Sequence, residues 1–117
     1  MSKTSMSLIV KFVVTLIAFY VTLALIDNNP WGWILLAALI GTAVNYLVGD
    51  LVVLPAYGNI AASIGDGIMA ALVAYIISLV VPAFAVSWTA LILLAVIIAI
   101  AEYFFHQYLL TTDKVAP

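Results

Sequence analysis

The chain has 117 residues, the length of one small domain. Apolar residues make up 68% of it and charged residues 7%, against about 45–50% and about 25% in a soluble domain, so a soluble fold of this size would lack the polar residues to cover its surface. Three dispersed lysines and a net charge of −2 exclude a nucleic-acid-binding face and a polybasic lipid-binding segment, and the absence of cysteine excludes disulfides, thiolate nucleophiles and thiolate metal sites.

The solvent for such a chain is lipid. A bilayer core about 30 Å thick needs roughly 20 apolar residues per helix. The first run that qualifies is residues 8–26, LIVKFVVTLIAFYVTLALI. Its lysine-led start resembles a signal peptide, but the apolar run after Lys11 is long and no small-x-small cleavage site follows. DNNPWG then marks a turn. The second run covers residues 31–54 and is expected to stop at Pro55. In the next link, PAYGN, Gly58 permits a turn, and Asn59 is expected to cap the third run, residues 60–81. Pro82 opens the turn PAFAVS, the fourth run covers residues 88–110, and TTDKVAP is a polar tail.

Backbone groups in lipid must be satisfied within a helix or a closed barrel. Barrel strands are about 9–11 residues with alternating polarity, and these runs are longer and continuous. Short links join antiparallel neighbours. The expected fold is therefore all-α: an integral-membrane four-helix transmembrane bundle of antiparallel, up-down topology, one domain over residues 1–117. Lys3, Lys11 and Lys114 lie beside the first and last runs, while the links after the first and third carry no cation. The positive-inside tendency then places both termini in the cytoplasm, with Trp31, Trp33 and Trp88 at the outer interface.

The ionisable residues of the runs are Lys11, Asp50, Asp66, Glu102 and His106. In this topology all five fall in the cytoplasmic half. Glu102 and His106 are four apart and share a helix face, as do Asn59, Ser63 and Asp66. Tyr46 and Asp50 share a face of the second run with Asn45 close by, and Lys11, Thr15 and Thr22 lie along one side of the first. A charge facing lipid at a helix centre costs roughly 2.5–3.5 kcal/mol on insertion scales, so these faces are expected to turn inward and meet. Ala37 and Gly41, Ala61 and Gly65, and Ala70 and Ala74 are small-xxx-small pairs that let membrane helices approach closely, within one bundle or between two copies.

Three chemistries compete for the polar residues. The first is a network that fixes helix register, with Lys11 offsetting part of three carboxylates. The second is a proton or cation site at Asp50, Asp66, Glu102 and His106, with Lys11 as counter-charge and Asn45, Asn59 and Ser63 in support. Three carboxylates against one fixed cation favour it, because one of them must keep a proton or face a cation. The third is a divalent metal bound by Asp50, Asp66, Glu102 and His106, although one histidine is few for zinc. No nucleophile motif surrounds Ser63, Ser78 or Ser87, so the chain does not read as an enzyme, and no cofactor is expected.

YLVGDLVVLPAYGNIAASIGDG, followed by AEYFFHQYLL, resembles the YndM-like membrane proteins of spore-forming Gram-positive bacteria over nearly the whole chain. The similarity rests on a lysine-led first span, Gly49-Asp50, Leu54-Pro55, Gly58-Asn59, Asp66, and Glu102 through His106. It implies a four-pass envelope protein and assigns no activity. Small multidrug-resistance transporters share the length and span count, but their essential glutamate lies in a first span that here has no acid. Holin-like proteins share size and helix number, but TTDKVAP is a poor match to their charged tails. The expectation is a multi-pass protein of the bacterial inner membrane with a structural or regulatory role. The alternatives are a small proton- or cation-coupled transporter acting as an oligomer, such as a homodimer, and a holin-like pore. Its expected partners are the lipid bilayer and a proton or divalent cation.

Overall fold

The computed structural model describes residues 3–111, all of whose regular structure is helical. The tail, with Lys114, and the side chain of Lys3 lie outside the described residues. Four helices are long and apolar enough to cross a membrane, at Ser5–Ala24, Trp31–Tyr57, Asn59–Val80 and Trp88–Tyr108.

Within them, α1 (Lys3–Phe19) continues as a π-helical turn, Tyr20–Ala24. The second span begins as α2 (Trp31–Val44), widens into nine π-helical residues, Asn45–Val53, and closes as the short α3 (Leu54–Tyr57). Then come α4 (Asn59–Val80) and α5 (Trp88–Thr111). Two local expectations fail here. Pro55 does not stop the second span: it sits in the first turn of α3, where a missing N–H is tolerated, and the chain turns at Gly58, whose φ of 90° suits glycine. Asn59 does not cap α4, because its side chain makes no bond to the helix's first N–H groups and is used elsewhere.

α1 packs on α2 and α5, and α4 packs on the same two, so the four spans form a closed square. Large apolar side chains such as Ile17, Leu39, Ile68, Leu72 and Ile92 point outward, the arrangement a lipid solvent requires. Inside, Phe19, Leu23, Ile34, Phe84, Leu94 and Ile98 fill one half of the bundle. A smaller apolar group around Leu54 and Ala62, with Phe105 against it, closes the opposite end. Asp66, between Ala62 and Ala70 on α4, and Glu102, between Ile98 and Phe105 on α5, fall between these two plugs.

Small residues set the helix separations. Ala37, Gly41, Ala70 and Ala74 are buried inside the bundle, whereas Ala61 is exposed and Gly65 faces open space. A close backbone approach that the spacing did not single out is at Gly67, which meets the backbone of α5, where a Cβ would strike the carbonyl of Ala95. At the far end two links clasp each other. Asn29, 7% exposed, donates to the carbonyls of Leu23 (3.0 Å) and Ala85 (2.6 Å) and accepts from the N–H of Ala85 at 2.8 Å. Asp27 accepts from the N–H of Ser87 at 2.8 Å, and Ser87 caps α5 through the N–H of Ala90 at 3.1 Å.

Gly67→Ala should lower the thermal stability of the detergent-solubilised protein, by about 1–3 kcal/mol as an overpacked contact. Gly65→Ala, with open space around the new methyl, should leave the melting temperature unchanged or slightly raised.

Candidate functional site

Asp50 comes from the second span, Asp66 from the third, Glu102 and His106 from the fourth, and Lys11 from the first. Their side chains meet, and none of the five residues is more than 1% exposed. The inward turn expected from helix spacing is what the structure shows.

Lys11 reaches across from α1. Its ammonium lies 2.6 Å from Glu102 Oε2, 3.2 Å from Asp50 Oδ2 and 4.0 Å from Asp66 Oδ2. It also stands 5.3 Å from the centre of the Phe105 ring, a cation–π distance. The His106 Nε2 atom is the second hub, at 2.8 Å from Asp50 Oδ1, 3.1 Å from Asp66 Oδ2 and 3.3 Å from Glu102 Oε2. Asp50 and Glu102 thus bridge the ammonium and the imidazole, and Asp66 lies nearer the imidazole.

Asn59 and Ser63 set the other side of the ring. Asn59 donates its amide to the carbonyl of Tyr103 at 3.0 Å, which fixes its amide orientation and turns Oδ1 toward His106 Nδ1, also at 3.0 Å. Ser63 donates to the same Oδ1 at 3.0 Å and lies 3.3 Å from Nδ1. An acceptor facing Nδ1 assigns that nitrogen its proton. Nε2 is then the nitrogen that titrates, and it faces three carboxylate oxygens. Either it carries a proton and donates to them, or one carboxyl carries the proton and donates to it. Holding one ring nitrogen with an outer partner so that the other is poised is the usual way proteins orient a working histidine.

Charge counting follows from the same contacts. Three carboxylates against one ammonium and one imidazolium leave one uncompensated negative charge inside the bundle. A buried charge without a partner costs several kcal/mol. Asp66 is where the deficit shows. Its Oδ1 makes no hydrogen bond and presses on the backbone of Gly49, where a Cβ would collide with it. Gly49 is therefore required for Asp66 to enter the cluster. Asn45, the third supporting residue expected from sequence, is fully buried, but neither its amide oxygen nor its nitrogen has a hydrogen-bond partner, so it does not hold His106 as Asn59 and Ser63 do.

One ligand atom from each of Asp50, Asp66, Glu102 and His106 lies within 4.8 Å of the others. Carboxylate oxygens and an imidazole nitrogen suit a divalent ion. The ammonium of Lys11 already fills the role of cation among them, at 2.6 and 3.2 Å from two of the acids, and a second cation there would meet its repulsion. The donor set fits a metal; the lysine works against one.

Sequence spacing missed three features of the site. The π-helical widening carries Asp50. Gly49 provides the space for Asp66, and it was visible as a glycine beside the acid. Phe105 lies beneath the ammonium, between Glu102 and His106 in sequence.

A family model described as "Protein of unknown function (DUF2512)" matches residues 2–115. The "Uncharacterized membrane protein YndM" of Bacillus subtilis (strain 168) is 33% identical over 109 residues, covering 92% of this chain and 61% of that protein. The chain therefore spans about three-fifths of the length of this relative. No solved structure matches.

Lys11→Met removes the fixed cation from three buried acids and should cost about 3–5 kcal/mol, the usual penalty for breaking one side of a buried pair. Adding Glu102→Gln should recover a substantial part of the loss, because the two effects are coupled. Thermal melts of the single and double variants check this, and strictly additive losses would refute the pairing.

Proposed function

The chain belongs to the DUF2512 family, it is a membrane protein with four helices able to span the bilayer, and we propose that its function rests on a buried proton-binding site formed by Asp50, Asp66, Glu102 and His106 with Lys11 as fixed counter-charge. In this reading it is a multi-pass protein of the bacterial inner membrane with both termini in the cytoplasm. The site then lies in the cytoplasmic half and exchanges one proton, coupling the state of the bundle to pH or to proton movement. The protein is a proton-responsive regulatory or transport element and not an enzyme.

The observation that carries the reading is the charge deficit. A network built only to fix helix register would be expected to close its charges. This one stops one positive charge short of neutrality even with His106 as imidazolium, and it leaves an oxygen of Asp66 unpaired. One proton supplies the missing charge. The tautomer imposed by Asn59 leaves Nε2 facing the three acids, so a proton has short steps among four oxygen and nitrogen atoms. The second reading, a structural network, is favoured by the direct ion pairs of Lys11 at 2.6 and 3.2 Å, which would hold α1 against the second and fourth spans whatever the proton count.

The two readings differ in linkage. If the folded cluster retains a proton that the unfolded chain releases, the native state binds more protons and stability falls as pH rises, by up to about 1.4 kcal/mol per pH unit for one proton. Wild type should therefore melt earlier as pH rises from about 4 to about 6, the range in which unfolded carboxyls have released their protons and histidine is still protonated in both states. Asp66→Asn removes the surplus negative charge, so it should fold and flatten that dependence. Melts of wild type and Asp66→Asn across pH decide the matter. A wild type indifferent to pH, or a variant that melts earlier at every pH with the same slope, would assign the cluster to the scaffold.

A further inference from the structure

A proton site sealed between two apolar plugs needs a route to water. One buried polar group on the entry side of the cluster, Ser7, points to one. Among the described residues, Ser7 Oγ, Thr15 Oγ1 and Thr42 Oγ1 are buried without a hydrogen-bond partner. Buried hydroxyls are seldom left so unless water reaches them. Ser7, Lys11 and Thr15 are spaced four apart and form one buried stripe on α1.

Ser7 also lines a half-enclosed crevice of about 190 Å³ between α1 and α5, together with Met6, Val10, Phe105 and Tyr108. The crevice lies at the end of the bundle where α1 begins, one helical turn from Lys11. Its inner wall is the Phe105 ring, and the Lys11 ammonium stands 5.3 Å from the centre of that ring. One aromatic side chain thus borders both the crevice and the cluster. The larger groove between α4 and α5, lined by Ser63, Tyr103 and Phe104, offers no comparable polar atom, because the Ser63 hydroxyl is engaged with Asn59 and His106.

We infer that the Ser7 crevice is the aqueous entrance to the buried cluster and that Phe105 is its gate. The inference rests on the proton-binding reading for what passes through, while hydration of the crevice is a separate claim with its own test. Water enters beside Ser7. Movement of the Phe105 ring brings it to Lys11 of α1, and from there it reaches Asp50 of the second span, Asp66 of α4, and Glu102 and His106 of α5.

The composition makes the test clean, since the chain has no cysteine and one histidine. Single cysteines are placed at Ser7, at lipid-facing Ile9 and at core Ala38 in protein reconstituted into vesicles. A charged, membrane-impermeant methanethiosulfonate reacts only with hydrated thiolate, so Ser7→Cys should react about tenfold faster than Ile9→Cys or Ala38→Cys. The second readout is exchange of the His106 ring N–H with water, followed by nitrogen-15 NMR on the single histidine. Modification of Ser7→Cys should slow that exchange, and Phe105→Ala, or the milder Phe105→Leu, should speed it. An unreactive Ser7→Cys overturns the entrance. So does a reactive one whose modification leaves His106 exchange unchanged. Neither outcome touches the pH dependence of melting, so the route and the site can fail separately.

Discussion

A lysine ammonium held among three carboxylates and an imidazole, in a bundle whose outside faces lipid, is the constraint that orders this molecule. Each charge is tolerable only because the others are within a few ångströms. Lys11 is contributed by the first span and Glu102 by the last, so their 2.6 Å contact joins residues 91 positions apart. Asp50 and Asp66 bring in the two middle spans. No helix can rotate far without exposing a charge to lipid or abandoning one inside. The rotation of the four spans is thereby fixed in the polar half by electrostatics, as the Phe19, Ile34 and Leu94 core fixes it in the other half by packing.

Backbone irregularities follow from that demand. The second span turns π-helical from Asn45 to Val53, the stretch that contains Gly49 and Asp50. A π-helical turn is rare, appears mostly as a short bulge and is frequent at functional sites. Here it extends over nine residues and accompanies the placement of Asp50 within reach of both Lys11 and His106. Gly49, beside it, admits the Asp66 carboxylate against bare backbone. The cluster is therefore built by main chain as well as by side chains.

The spans and their polar faces were legible because lipid makes sequence rules strict. Long apolar runs have one solution, and a carboxylate in such a run must turn inward. Spacings of three and four then identified Ser63 with Asp66, and Glu102 with His106, as shared faces. What sequence could not supply depends on neighbours. Asn59 has the composition of a helix cap, yet its amide is taken by the Tyr103 carbonyl and its oxygen faces His106, because α5 passes close by. Pro55 has the composition of a stop, yet it sits in the first turn of α3 after the π-helical segment. The clasp of Asn29 on Ala85 joins two links that read separately as turns. In each case a local preference gave way to a contact made across the fold.

The same neighbours bear on which cation such a site would take. Asp50, Asp66, Glu102 and His106 offer a donor set that would hold a divalent ion if they stood alone. Lys11 changes the problem, since its ammonium occupies the favourable position and cannot leave without pulling a bare charge toward lipid. A divalent ion would have to displace it, whereas a proton would not. In the proposed reading the proton needs no coordination shell: with His106 already imidazolium it would sit on a carboxylate oxygen already in contact and supply the single positive charge that the cluster lacks. A tethered cation that supplies most of the compensation, leaving room for one proton, favours small and frequent exchange over tight ligand capture. In the proposed reading this is the property to expect of a bundle that changes state with pH, and it gives both the lysine and the third acid a part in one site.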